Sequence, residues 1–411
     1  MTAASESGRT PLDIASLRAD TPGCRERVHL NNAGAGLMPA PALRAARDHL
    51  ELEARIGGYE AADARAGQVA AAYEAVAGLL GAAPANIAFM ENATAAFNQA
   101  LSCIPFQRGD VLVTSTNDYV SNQIAYLSLQ ARLGVEVVRA PDLPEGGVDP
   151  AAVARIIHRR GARLVALTHV PTSSGLVQAV EEVGQACRER GVLYLVDACQ
   201  SVGQMPVDVR AIGCDFLSAT ARKFLRGPRG AGFLYVSDRV LDMDLEPLLP
   251  DLRGAHWIDT DLYQPAPDAT RFENWEFAYA LVLATGEAAR YATRLGLDNI
   301  RERAWALADF ARDTLAAMDG VTVLDQGRVR SAIVSVHLEG HDPVELVHEL
   351  RERGINTSAT PHGYALIDLD AKGVESTLRV SPHYYNTRAE IEALVDALRD
   401  LPRNGPGQSG S

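Results

Sequence analysis

Cysteine is scarce and scattered in this chain: Cys24, Cys103, Cys187, Cys199 and Cys214, with no CxxC pair and none after position 214. An odd count at wide spacing excludes a disulfide framework and argues against a zinc site, so a reducing cytoplasm is the expected compartment. Positive charge is in deficit. The 39 Lys and Arg against 52 Asp and Glu leave a net charge of −13, which argues against nucleic acid or an anionic membrane surface as the main partner. No run of about 18 apolar residues is free of charge, so no membrane span is expected. The opening MTAASESGRTPLD lacks a basic stretch leading into an apolar core, so no secretory signal is expected, and the Asn92-Ala-Thr sequon reads as coincidence. Internal repeats are absent.

What is present is an ordinary globular composition, 47% hydrophobic and 22% charged over 411 residues. That is enough chain for one large domain and a smaller one. Short β-branched runs at 111–115, 136–139, 163–168, 192–196 and 231–236 alternate with helical patterns at 122–133, 150–159 and 180–190. Near-continuous apolar strands separated by helices predict an α/β domain, its mostly parallel central sheet covered by helices on both faces. The pattern then changes. A long helix over 298–318 leads to strands at 321–324 and 331–338, a helix at 343–353, a strand at 376–381 and a final helix at 387–400. This predicts a smaller α+β C-terminal domain. The expected organisation is an N-terminal extension (1–27), a large domain (28–290) whose first segment packs on the small one, the small domain (291–400) and a disordered tail (401–411). Residues 1–10 also read as loose.

Two segments carry chemistry. Asp197, in YLVDACQSVG, closes an apolar strand, where open α/β sheets bind ligands. It reads either as a loop or helix cap or as an acid holding a cofactor's ring nitrogen protonated. Lys223 lies 26 residues on, in SATARKFLRGPRGAGFLYV, within a tight loop between buried strands. Desolvation there lowers a lysine's pKa and makes it an imine-forming nucleophile. Arg222, Lys223, Arg226 and Arg229 form a local basic cluster suited to a phosphate. NIAFMENATAAFNQAL reads as a strand turning into a helix, with Ala93 and Thr94 at the N-terminus, where free N–H groups favour a phosphate.

VDACQSVG and the lysine loop resemble the class V aminotransferase family, which includes cysteine desulfurases, isopenicillin-N epimerase-like proteins and C–S lyases. The resemblance runs from about residue 28 to residue 400. It implies the fold-type I PLP-transferase fold, a homodimer with shared active sites, a small amino acid as substrate, and pyridoxal phosphate (PLP) held by Lys223 as a Schiff base. By the same resemblance Asp197 pairs with the pyridinium nitrogen, Gln200 and Thr172 lie near the phenolic oxygen, Thr220 and Arg222 serve the phosphate, and Tyr119 stacks on the ring. Arg379 binds the substrate carboxylate. Asn31, Asn32 and His362 fall near the substrate, while Asn274 and Trp275 reach a neighbouring subunit's site.

The departures set the expected reaction. Desulfurases carry a histidine where Tyr119 stands, and a mobile cysteine ahead of the carboxylate-binding arginine. The matching stretch here, INTSATPHGYALID (355–368), has none, and Gly363 falls about where the nucleophile belongs. The leading expectation is a C–S β-lyase on cysteine or an S-substituted cysteine. The alternatives are an aminotransferase, or an epimerase or decarboxylation-coupled oxidative deaminase. Retention of Asp197, Lys223 and Arg379 together argues against a non-catalytic scaffold.

Overall fold

A computed structural model describes residues 11–401; the segments expected to be loose, 1–10 and 402–411, lie outside the described residues. Seven strands form the central sheet: β1 (Ile87–Met90), β2 (Val111–Thr114), β3 (Glu136–Arg139), β4 (Ala162–Thr168), β5 (Leu193–Asp197), β6 (Phe216–Thr220) and β7 (Gly232–Val236). Their spatial order is β1-β7-β6-β5-β4-β2-β3. Pairing is parallel from β3 through β6, and β7 is antiparallel to both its neighbours. The cause is chain length. Residues 221–231, between β6 and β7, are too few for the crossover of a dozen or more that a parallel connection needs. They return directly and form the lysine loop.

Side chains alternate between two cores, as strand geometry requires. On β5, Tyr194 and Val196 enter one cluster, while Leu193 and Leu195 enter the cluster on the opposite face. All five β5 residues are buried, which explains the unbroken apolar run. Among the described residues no helix is long and apolar enough to cross a membrane.

The small domain has a four-stranded antiparallel sheet of β8 (Val321–Val323), β9 (Val334–Leu338), β10 (Ser358–Pro361) and β11 (Ser376–Val380), in the order β8-β9-β11-β10. Its own core contains Leu307, Val334, Leu378 and Leu394. Val28–His29 pairs in parallel with Ile355–Asn356, and Asn31 bridges to Ser381, so the start of the large domain is stitched to the small one.

Three expectations change. The boundary at 290 falls inside the helix Tyr279–Leu295, which the strand–helix pattern did not reveal; the chain breaks at Gly296, in the left-handed region at φ 82°. The stretch 355–368 is no plain loop, because β10 lies within it and pairs with β11, opposing Ser358 to Arg379. The hairpin Ala255–Asp259 with Leu262–Pro265 was not anticipated at all.

Candidate active site

Five strands of the central sheet lead to predicted site residues at their carboxyl ends. Met90 of β1 precedes the helix Ala93–Ser102, Thr114 of β2 precedes Asp118 and Tyr119, and Thr168 of β4 precedes Thr172. Asp197 ends β5, and Thr220 ends β6 three residues before Lys223. Strand ends must leave their backbone groups to loops and ligands, so side chains from distant sequence positions converge there.

The chain has only two lysines. Lys372 is tied to Asp368 at 2.8 Å. Lys223 is buried, and its side chain has no hydrogen-bond or ion-pair partner among the described residues. Its Nζ lies 5.8 Å from the centre of the Tyr119 ring. Burial pushes its pKa below the usual lysine value; Cys199 and Asp197 oppose that shift, and Arg222 and Arg379 reinforce it. The loop is held rigidly. A Cβ on Gly36 would meet the Lys223 carbonyl at 2.6 Å, and one on Gly203 would meet the Leu225 backbone at 2.3 Å.

Arg226 anchors the same loop, and here the expected phosphate cluster must be corrected. Its guanidinium is buried and directed away, donating to Leu37 O (2.7 Å), Thr21 Oγ1 (2.6 Å) and the Tyr384 hydroxyl. Those contacts hold its backbone at φ 62°, a conformation that costs a non-glycine residue about 1–3 kcal/mol unless its surroundings fix it. Arg229 is exposed. Neighbours along a loop point in different directions, so a basic run in sequence need not be a basic pocket.

Asp197 is buried and accepts from the Cys199 N–H (2.9 Å) and from Asn122 Nδ2 (3.0 Å). Asn122 was missed from the sequence. Its amide also reaches Asp118 Oδ1 (3.1 Å), and Asp118 accepts from Thr114 Oγ1 (2.8 Å) and Thr168 Oγ1 (2.5 Å) as well. Burial raises the pKa of Asp118, against the pull of these donors. Nothing local in the sequence marks this brace, because it spans 75 residues between Asn122 and Asp197.

A second group lies at the domain junction. Thr172 Oγ1 accepts from Gln200 Nε2 (2.9 Å) and Arg379 Nη1 (2.7 Å), and Arg379 Nη2 reaches Asn31 Oδ1 (3.3 Å). Gln200 Oε1 and Arg379 Nε are buried without partners. Burial, with the Arg222 charge adding to it, pushes the Arg379 pKa down to about 10. Arg222 donates to the Gly34 carbonyl.

Other predicted residues stand apart from this group. Asn32, beside Asn31, faces the opposite way. It is fully buried and joins Ser381 O (2.8 Å) and the Tyr385 hydroxyl, as a structural joint between the domains. His362 pairs with Asp370 at 2.6 Å, which raises its pKa. Asn274 reaches Glu91 (3.4 Å), just ahead of the Asn92 cap of the helix that opens with Ala93 and Thr94. Trp275 is half exposed.

These residues fit the phosphorylated pyridine that the resemblance implies. Asp197 keeps lone pairs for a further N–H donor after its two bonds. Arg222, Lys223 and Arg379 have no ion-pair partner among the described residues, a cationic excess suited to a phosphate and a carboxylate. The helix Ala93–Ser102 adds free N–H groups at its start.

Residues 28–394 match the family Aminotransferase class-V. A probable cysteine desulfurase of Methanothermobacter thermautotrophicus is 33% identical over 398 residues, covering 95% of this chain and 98% of its own length. The apo cysteine desulfurase from Thermococcus onnurineus NA1 superposes with a TM-score of 0.88 at 26% identity, covering 96% of this chain and 99% of that one. The cystine C–S lyase C-DES, solved with its reaction product cysteine persulfide, superposes at 0.83 with 22% identity over 93% of this chain and 99% of its own; that likeness is one of fold.

Proposed function

As this chain belongs to the aminotransferase class-V family of PLP-dependent enzymes, we propose that it is a C–S β-lyase acting on cysteine or an S-substituted cysteine. The observation that carries this reading is the state of its thiols. A desulfurase stores sulfur on an accessible cysteine whose thiolate attacks the substrate. Here burial raises the pKa of all five cysteines: Cys103 and Cys187 to about 12, and Cys24, Cys199 and Cys214 likewise upward. None follows position 214, so none stands on the strand and turn ahead of Arg379.

In this reading Lys223 and Asp197 would hold PLP, and Thr220, Arg222 and the start of the helix Ala93–Ser102 would take its phosphate. Tyr119 would stack on its ring, and Gln200 and Thr172 would serve its hydroxyl. Asn274 and Trp275 serve a neighbouring subunit. The bound pyridinium supplies an electron sink for the pair released at the substrate's Cα. Arg379 receives the α-carboxylate, using the Nε that has no protein partner. Lys223, biased toward its neutral form by burial, takes the Cα proton. The Cβ–S bond then breaks with its electron pair on sulfur, and the thiolate is protonated and leaves. Water converts the remaining three carbons and nitrogen to pyruvate and ammonia, so one cysteine conjugate and one water balance one thiol, one pyruvate and one ammonia.

The test is to load the protein with PLP, add cysteine and S-substituted cysteines, and assay thiol, pyruvate and ammonia together. Equal release of all three supports the lyase. Accumulation of the amino form of the cofactor with a keto acid and no thiol would mean an aminotransferase instead.

Two substitutions probe the supports. Arg379→Lys loses the planar fork, and kcat/KM is expected to fall about 30-fold or more, chiefly through KM, since weakening a buried charged contact costs about 2 kcal/mol or more. Asn122→Ala removes one of the two protein donors to Asp197. A bond to a charged group is worth about 1.5–3 kcal/mol, so PLP affinity, read by fluorescence titration, is expected to drop about tenfold or more. An unchanged affinity would exclude Asn122 from the brace.

A further inference from the structure

A cleft of about 300 Å³ opens beside this site, between the helix Val120–Leu133 of the large domain and the turn and helix that follow β10. One wall is Val120, Ile124 and Leu127, spaced to share a helical face. The other includes Tyr364 and Leu366. Ile124 (61% exposed), Leu127, Tyr364 and Leu366 all leave apolar surface open there. Single exposed apolar side chains need no explanation, but a facing set around one cavity marks a binding surface.

The cleft is lined by chain neighbours of the candidate active-site residues. Its lining includes Ser173, next to the Thr172 that accepts from Arg379, and Asp118 and Val120, which flank Tyr119. The small-domain wall is bound to the same framework: β10 pairs with β11, which carries Arg379, and runs directly into Gly363 and Tyr364. The strand that leads into the small-domain wall thus lies beside the strand that carries Arg379, where a cysteine conjugate would be held by its carboxylate.

We propose that this cleft is the subsite for an apolar S-substituent, aromatic or branched alkyl, so that the substrate is a thioether conjugate of cysteine rather than free cysteine. This rests on the lyase reading and specifies its substrate class.

The test uses ligands that bind but cannot react. 3-(Benzylsulfanyl)propanoate and 3-(methylsulfanyl)propanoate keep the carboxylate and thioether but lack the amino group. Binding of each to the PLP-loaded protein is measured by calorimetry. The benzyl compound is expected to bind at least tenfold tighter. Gly363→Leu fills the cleft: Gly363 lines it, a Cβ there meets nothing within 4 Å, and its φ is ordinary. That variant is expected to bring the two affinities within about twofold while leaving the methyl compound's unchanged. Ile124→Ala, which widens the opposite wall, is expected to weaken only the benzyl compound. Equal wild-type affinities, or a Gly363→Leu effect common to both ligands, would overturn the proposal and leave the exposed face to contact with another copy of the chain. The two readings fail separately. Tight benzyl binding without thiol release from any conjugate keeps the subsite and removes the lyase. Thiol release from cysteine without a benzyl preference does the reverse.

Discussion

Lys223→Met removes the visible band of the lysine-linked cofactor and lowers release of thiol and pyruvate by at least about 10³-fold, because proton transfer by a positioned base alone contributes roughly 10²–10⁴-fold and the covalent anchor is lost with it. No substitute stands ready: Lys372, the chain's other lysine, is held by Asp368. The same variant has a second signature in the cofactor-free protein. Burial lowers the Lys223 pKa below 10.5, so between the folded value and 10.5 the unfolded chain binds more protons at this group than the folded one. Stability from this group therefore rises with pH through that window and is at its poorest below it. Methionine removes the penalty. The cofactor-free variant is expected to melt higher than the wild type at neutral pH, with the gap closing as pH approaches 10.5. Thermal melts from pH 7 to 10.5 measure it, and a variant that melts lower at pH 7 would show that the ammonium is well solvated or paired.

Asp197→Asn is the second large effect. Both protein partners of this carboxylate are donors, the Cys199 N–H and Asn122 Nδ2. An amide has one acceptor oxygen, so its NH₂ must face a donor or turn toward the ring nitrogen. In either orientation the negative charge opposite the pyridinium is gone. Losing one partner of a buried charge pair costs about 3–5 kcal/mol, so kcat/KM is expected to fall roughly 10²–10⁴-fold. The fall should appear in kcat as well as KM, because the missing charge acts on the reacting carbon rather than on substrate capture. Steady-state kinetics on the loaded protein test this. A loss confined to KM would remove Asp197 from the chemistry.

The two residues differ in how they could be found. Asp197 is legible because a buried strand leaves an unbroken apolar run and the first polar residue after it falls at the sheet's carboxyl edge, and Lys223 because it lies in a short loop between two apolar strands. Gln200, Thr172 and Arg379 are legible through resemblance, and the structure brings them together with Asn31. Asn122 and Asp118 carry no such mark. They are polar residues at the start of a helix, and only the pairing of β4 with β5 and β2 sets them behind Asp197. The four clustered basic residues of the lysine loop misled for the converse reason, since Arg226 turns inward to the N-terminal segment and Tyr384. Asn31 and Asn32 divide in the same way, one toward Arg379 and the other toward Ser381.

By itself, then, the sequence determined the strand–helix alternation, the two segments bearing Asp197 and Lys223, and the lack of any cysteine after position 214. These are properties of local apolar periodicity and residue identity, which need no partner to be read. The tertiary structure alone decided which way each loop side chain points, the Asn122 brace and the apolar cleft beside the site. Each of these depends on contacts between segments far apart in the chain, and burial, hydrogen-bond satisfaction and desolvation are defined only once those segments are packed together.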